Sequence, residues 1–300
     1  MSSNPSKSIL DVNEFDTEQR FLGKKIKSLS QKMTGLGLDY LSKITGNPAN
    51  KSFSEMGESI SYRLQSCQYL FYLLNKNQLI DETDLAKTLG KQPQAANVFE
   101  LIGPSTNVVF AMAMIERPCL FDSLIYHLTS IFDYVGGLTE LICGGQGRNR
   151  LKWNSLVNKC RNTSSSFCRA KVCPTVLDGN MKFVDRLYNH RSTIIHDIAD
   201  VGGFEYTIHV ASQKTSLNLY VTKRFINSFP TLKVRAGEST VTLRYAALFL
   251  MNEALDLLIE MSLKLREDIE TNRRITRGME THSWRNPDGT FSDASTPYWQ

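Results

Sequence analysis

The chain has 300 residues and a mass of 34.0 kDa, enough for one large domain or two small ones. Hydrophobic residues make up 41% and charged residues 22%, which excludes wholesale disorder and the collagen-like and low-complexity classes. The net charge is a mild +5, but ten basic residues stand against only Asp178 and Asp185 between Gly144 and Arg191, a local surplus of +8 that leaves −3 for the rest.

The longest uncharged apolar run, Val108 to Ile115, is too short to span a bilayer and ends at Glu116 and Arg117. The N-terminus is polar and acidic and lacks the layout of a signal peptide. A cytoplasmic protein without membrane association is expected, with six cysteines kept as reduced thiols.

In chain order, residues 1–12 read as untethered. Phe15 to Lys43 holds a helix, ended by the turn residues Thr45-Gly46-Asn47-Pro48. Ile60, Leu64, Cys67, Phe71 and Leu74 recur in steps of four and three on one face of a second helix, with Ser54 as its expected N-cap. Leu124, Leu128, Ile131, Val135, Leu138 and Ile142 mark a third, with Pro118 just before it and Gly144-Gly145-Gln146-Gly147 closing it. A fourth seam is Val184, Leu187, Arg191, Ile195 and Ile198. A fifth, the longest, is Ala247, Leu250, Ala254, Leu257, Met261 and Leu265.

Between the last two, Tyr206, Ile208 and Val210 alternate, Gln213-Lys214-Thr215-Ser216 turn, and Leu217, Leu219 and Val221 alternate. That predicts a β-hairpin over about 204–222, as an ornament or flap. After Thr271 the chain turns polar, with a turn at Asn286-Pro287-Asp288-Gly289 and a mobile end. The fold class is therefore mainly α, an antiparallel helical bundle with a small inserted β-hairpin. The expected divisions are an N-terminal segment 1–50, leading helices 51–104, the bundle 105–270 and a tail 271–300.

The fourth seam is interrupted at Arg191, where an apolar residue is expected. A buried guanidinium must be paired or reach solvent, and Asp133, in the polar patch Thr129, Ser130, Asp133 of the third helix, is a structural partner for it. The segment continues Ser192-Thr193-Ile194-Ile195-His196. An arginine, four residues and a histidine in a helical chain resembles the HEPN superfamily, the higher eukaryote and prokaryote nucleotide-binding domains. The resemblance covers about residues 105–270, and nothing in residues 1–100 matches. A second arginine–histidine pair at Arg277 and His282 lies in the polar tail without apolar periodicity and is set aside. The position after the arginine, commonly Asn, Asp or His in the family, is Ser192 here.

The resemblance implies a helical bundle and a metal-independent endoribonuclease, a toxin or defence effector, that needs no cofactor. It implies catalytic roles for Arg191 and His196, supported by Asp133, Ser130, Asn189 and Ser192. Histidine titrates near neutrality and moves a proton, while arginine presents a planar fork of donors to a phosphate. The basic surplus suits a polyanion, so RNA is the expected partner, contacted by Arg148, Arg150, Lys152, Arg161, Arg169 and Lys171; a solvated basic face is the alternative. Five residues on a helix separate two side chains by roughly 140°, so a homodimer sharing two motifs at one cleft is expected. A regulatory protein partner is a further expectation. A non-catalytic module that binds RNA, nucleotide or a protein is the competing function. The cysteines lack the close pairing of zinc ligands, and no metal site is expected.

Overall fold

The computed structural model describes residues 12–43, 49–90, 104–144, 152–164, 166–196, 201–209, 214–271, 284–285 and 291–292. The protein is mainly α with an inserted β-hairpin. Its helices are α1 (Val12–Lys43), α2 (Ala49–Gly90), α3 (Pro104–Gly144), α4 (Trp153–Arg161), α5 (Cys173–Gly179) and α6 (Asp185–His196). The hairpin strands β1 (Val201–His209) and β2 (Lys214–Val221) follow, then α7 (Lys223–Ser228), α8 (Pro230–Ala236) and α9 (Leu243–Thr271). A π-helical stretch, Asn180–Val184, joins α5 to α6. In the tail, β3 (Trp284–Arg285) pairs with β4 (Phe291–Ser292) across the expected turn, whose residues lie outside the described ones. Among the described residues no helix is long and apolar enough to cross a membrane.

Every expected seam residue of the second, third and fifth helices is buried. Three boundaries differ from expectation. Pro118 lies inside α3 rather than before it. A proline there removes one N–H from the helix ladder, yet the helix continues through it to Gly144. Ser54 lies within α2, which begins at Ala49. Lys214, Thr215 and Ser216 belong to β2 instead of the turn.

The chain forms two compact units with interleaved segments. The first comprises Met1–Lys24, Ser66–His127 and Arg186–Glu253. Its aromatic core runs Phe121 to Phe225 (5.6 Å between ring centroids), Phe225 to Phe229 (5.0 Å) and Phe229 to Phe249 (5.8 Å). The hairpin is built into this unit. It is no exposed flap, since β2 is buried from Thr215 to Val221.

A buried strand edge must find partners for its peptide groups without water. At Leu217 they come from side chains. Arg117, 2% exposed on α3, donates Nη1 to the Leu217 carbonyl at 2.6 Å, and the Leu217 N–H donates to Glu82 Oε1 on α2 at 3.0 Å. Arg117 Nη2 also donates to the Asp81 carboxylate. Gln78 Nε2 donates to Glu82 at 3.0 Å and to Asn218 Oδ1 at 3.3 Å. Further along the strand, the Val221 N–H donates to the Val241 carbonyl at 2.9 Å.

The second unit comprises Lys25–Gln65, Leu128–Asp185 and Ala254–Gln300. Trp153 is fully buried, edge-on to Phe132 at 5.1 Å, and its indole N–H donates to Asn180 Oδ1 at 2.8 Å. Gly179 packs closely against α9, where a Cβ would meet the end of the Leu257 side chain at 2.5 Å and push it aside. None of the six cysteines is in a disulfide.

Burial pushes the carboxyls of Asp81 and Glu82 above their ordinary values, partly offset by Arg117 beside Asp81 and the Gln78 hydrogen bond at Glu82. The folded state then holds these protons more tightly than the unfolded state. Their contribution to stability therefore falls as pH rises from the ordinary carboxylate value through the raised one. Glu82→Gln, which keeps an acceptor for Leu217, flattens that pH dependence in denaturant titrations between about pH 4 and 7. Arg117→Met leaves buried carboxylates unpaired and lowers unfolding stability by about 3–5 kcal/mol at neutral pH.

Candidate functional site

α6 emerges from the π-helical stretch, where the Asp185 N–H bonds back to the Asn180 carbonyl. Its inward residues follow from its sequence. Leu187 is fully buried, and His190 packs edge-on against Phe225 at 4.7 Å. Arg186 Nη1 donates to the Ser228 carbonyl at 2.9 Å, tying the helix to the end of α7. Thr193 Oγ1 donates to the Asn189 carbonyl at 3.1 Å and accepts from Arg224 Nη2 at 2.9 Å.

Arg191, expected inside the apolar stripe, is half-buried, and its guanidinium carbon lies 5.1 Å from the centroid of the Tyr126 ring on α3. Its Nε is buried without a hydrogen-bond partner. Among the described residues no carboxylate pairs with it. A ring face attracts a cation through its quadrupole, so the charge is tolerated here without being neutralised. Tyr126 is 46% exposed, so this arrangement opens to solvent. Asn189 and Ser192 are exposed on the same helix. His196 is the last residue of α6, and its side chain lies outside the described residues.

Ser130 and Asp133 belong to the part of α3 in the second unit, where both are half-buried. Asp133 Oδ1 accepts the Trp153 N–H at 3.2 Å. A carboxylate there satisfies a donor at the first turn of α4 and complements the helix dipole.

The basic segment divides by environment. Lys159 is bound to Glu140 at 3.0 Å and Lys182 to Asp178 at 2.7 Å. Lys152, Arg161, Arg169 and Lys171 are exposed, and among the described residues no carboxylate pairs with them. Arg148 and Arg150 lie outside the described residues. The backbone beneath the exposed group is fixed by Asp268 on α9. Its carboxylate accepts from the N–H of Lys171 at 2.6 Å and of Val172 at 3.0 Å, while Cys143 Sγ donates to it at 3.7 Å.

Burial pushes the Cys143 and Asp268 groups up, and the hydrogen bond with Cys160 does the same to Cys173. Two thiols held neutral in this way serve packing. Among the described residues, no group of three or more His, Cys, Asp or Glu is placed to hold a metal ion.

Sequence reasoning found Arg191 but missed Tyr126, Arg224 and Asp268. Tyr126 leaves a trace, being an aromatic on the outward side of an otherwise inward seam. The other two act through tertiary contacts that no local spacing encodes. No protein-family model matches the chain, and no curated protein or solved structure matches it.

The ring–cation contact at a half-open site is worth about 0.5–1 kcal/mol. Arg191→Met therefore yields a folded protein that loses no more than about 1 kcal/mol of stability. A double-mutant cycle with Tyr126→Leu, read by denaturant unfolding, returns a coupling of about 0.5–1 kcal/mol.

Proposed function

We propose that the protein is a metal-independent endoribonuclease of HEPN type. The observation that carries the reading is the state of Arg191. It sits five residues before His196 on one helix, half-buried against an exposed tyrosine ring, with its charge left unneutralised among the described residues. A structural arginine is normally spent on a carboxylate, as Arg117 is on Asp81. An arginine kept charged beside a polar, solvent-open surface is available to a phosphate.

In the proposed reaction His196 takes the proton from a ribose 2′-OH. The freed oxygen attacks the adjacent phosphorus, the P–O5′ bond breaks, and the leaving oxygen takes up a proton. Arg191 holds the phosphate oxygens as negative charge builds on them. Lys152, Arg161, Arg169 and Lys171 are exposed and without a carboxylate partner among the described residues, and a polyanion would neutralise their charge. The angular separation of residues 191 and 196 supports a homodimer, in which two motifs complete one cleft.

Purified protein incubated with single-stranded RNA in EDTA is expected to cleave it. His196→Ala and Arg191→Met lower the rate by about 10²–10⁴-fold, with circular dichroism unchanged. Undiminished cleavage by His196→Ala sinks the assignment. Salt-sensitive RNA binding without turnover by the unmutated protein establishes the non-catalytic binding module instead.

A further inference from the structure

α6 packs antiparallel against α7. Three contacts set the register: Arg186 Nη1 to the Ser228 carbonyl at 2.9 Å, the His190 ring on Phe225 at 4.7 Å, and Arg224 Nη2 to Thr193 Oγ1 at 2.9 Å. Each step toward the end of α6 is a step toward the start of α7. The start of α7 therefore stands beside the last turn of α6, where position 196 falls. The Thr222 hydroxyl accepts the Phe225 N–H at 3.1 Å and fixes that start. Lys223 and Arg224 follow it, both exposed.

The turn of the helix sorts these groups. At roughly 100° per residue, positions 189, 193 and 196 fall within roughly 60° of one another, and position 191 lies roughly 140° or more from each. Arg191 packs the other way, onto Tyr126. Arg224 crosses from α7 to the face shared by Asn189, Thr193 and position 196. Thr193 accepts one of its five N–H donors, and the Thr193 hydroxyl proton goes to the Asn189 carbonyl. The guanidinium fork is thereby oriented before a ligand arrives, which lowers the cost of binding one.

We propose that Arg224 holds the RNA phosphate next to the scissile one, on the face of α6 that carries position 196. The proposal rests on the RNA reading above and extends it: Arg191 holds the scissile phosphate and Arg224 its neighbour. Positions three apart on a helix are neighbours, about 5–6 Å between Cβ atoms, so a strand held at Arg224 passes position 196. Position 196 and Arg224 belong to one chain, so their pairing also stands in the homodimer. A phosphate contact carries no base information, so Arg224 gives affinity and register without sequence preference.

Binding of labelled 2′-O-methyl RNA hexamers tests this. The probe keeps the phosphates but has no 2′-OH to attack, so binding is read apart from cleavage. In fluorescence anisotropy, Arg224→Ala is expected to weaken binding of the U and A hexamers alike, by about tenfold. The slope of log K against log salt becomes shallower by about 0.7, one phosphate contact on a single strand. Arg224→Gln, which keeps a donor for Thr193, reports the same loss if the alanine variant does not fold. Thr193→Val removes the anchor and keeps the charge, so affinity falls by about threefold with the slope retained. Arg235→Ala, at an exposed arginine paired with Glu253, leaves affinity and slope as they were. An Arg224 that only ties α7 to α6 gives a lower unfolding midpoint with unchanged affinity and slope, and that result overturns the proposal. So does a loss confined to one base, an equal loss in Arg235→Ala, or no binding by the unmutated protein up to about millimolar. Failure of the unmutated protein to cleave RNA that it binds removes the reaction and leaves the Arg224 contact standing.

Discussion

The two peptide groups of Leu217 impose the strictest demand on the first unit. A two-stranded sheet leaves an edge open on each side, and β2 is buried from Thr215 to Val221. An unmet buried N–H or C=O costs about as much as a lost hydrogen bond, some 1–3 kcal/mol. Arg117 and Glu82 meet both groups and stand in for a missing third strand. The cost of that solution is buried charge. A guanidinium inside the protein requires a carboxylate, which Asp81 supplies, leaving Glu82 to the strand. Adjacent acidic residues on α2 thus perform different tasks, and together with Arg117 they fix the hairpin to α2 and α3.

How much of this was legible depends on whether a contact is local. The seams at Ile60 to Leu74, Leu124 to Ile142 and Ala247 to Leu265 are periodic, and burial follows the period. The hairpin was legible from its alternation, with Tyr206 opposite Leu217. Its burial was not, because Arg117 to Leu217 spans a hundred residues of sequence. Pro118 misleads as well, because a proline reads as a helix start while α3 runs through it. The π-helical stretch left no compositional mark. Its anchor is the Trp153–Asn180 hydrogen bond, another tertiary contact.

For the candidate site, the sequence marks Arg191 as an anomaly without showing what it packs against. The purely structural alternative is an ion pair with Asp133. Asp133 instead accepts the Trp153 N–H, and Arg191 rests on Tyr126. The difference matters chemically. An ion-paired arginine has its fork of donors filled, whereas one lying on a ring keeps its donors in the plane of the guanidinium available. The same sorting applies to the basic segment. Sequence counts its charges alike, but Lys159 and Lys182 are paired, while Lys152, Arg161, Arg169 and Lys171 are exposed.

The outward face of α3 connects these observations within the first unit. Tyr126 stands seven residues beyond Cys119, two helical turns later and about 20° behind it, so the exposed stripe of Val108, Met112, Ile115 and Cys119 leads to the ring beneath Arg191. The periodic reading of the sequence follows the inward seam from Leu124 onward and passes over this second face. A helix whose apolar residues occupy both sides shows little amphipathic contrast, and its sequence reads as an uncharged run from Val108 to Ile115. Among the described residues no helix is long and apolar enough to cross a membrane, and Val108, Met112 and Ile115 are exposed rather than in the core. The outward face of α3 thus carries apolar side chains from Val108 to Tyr126 at the protein surface, where an inward seam alone would have left polar ones.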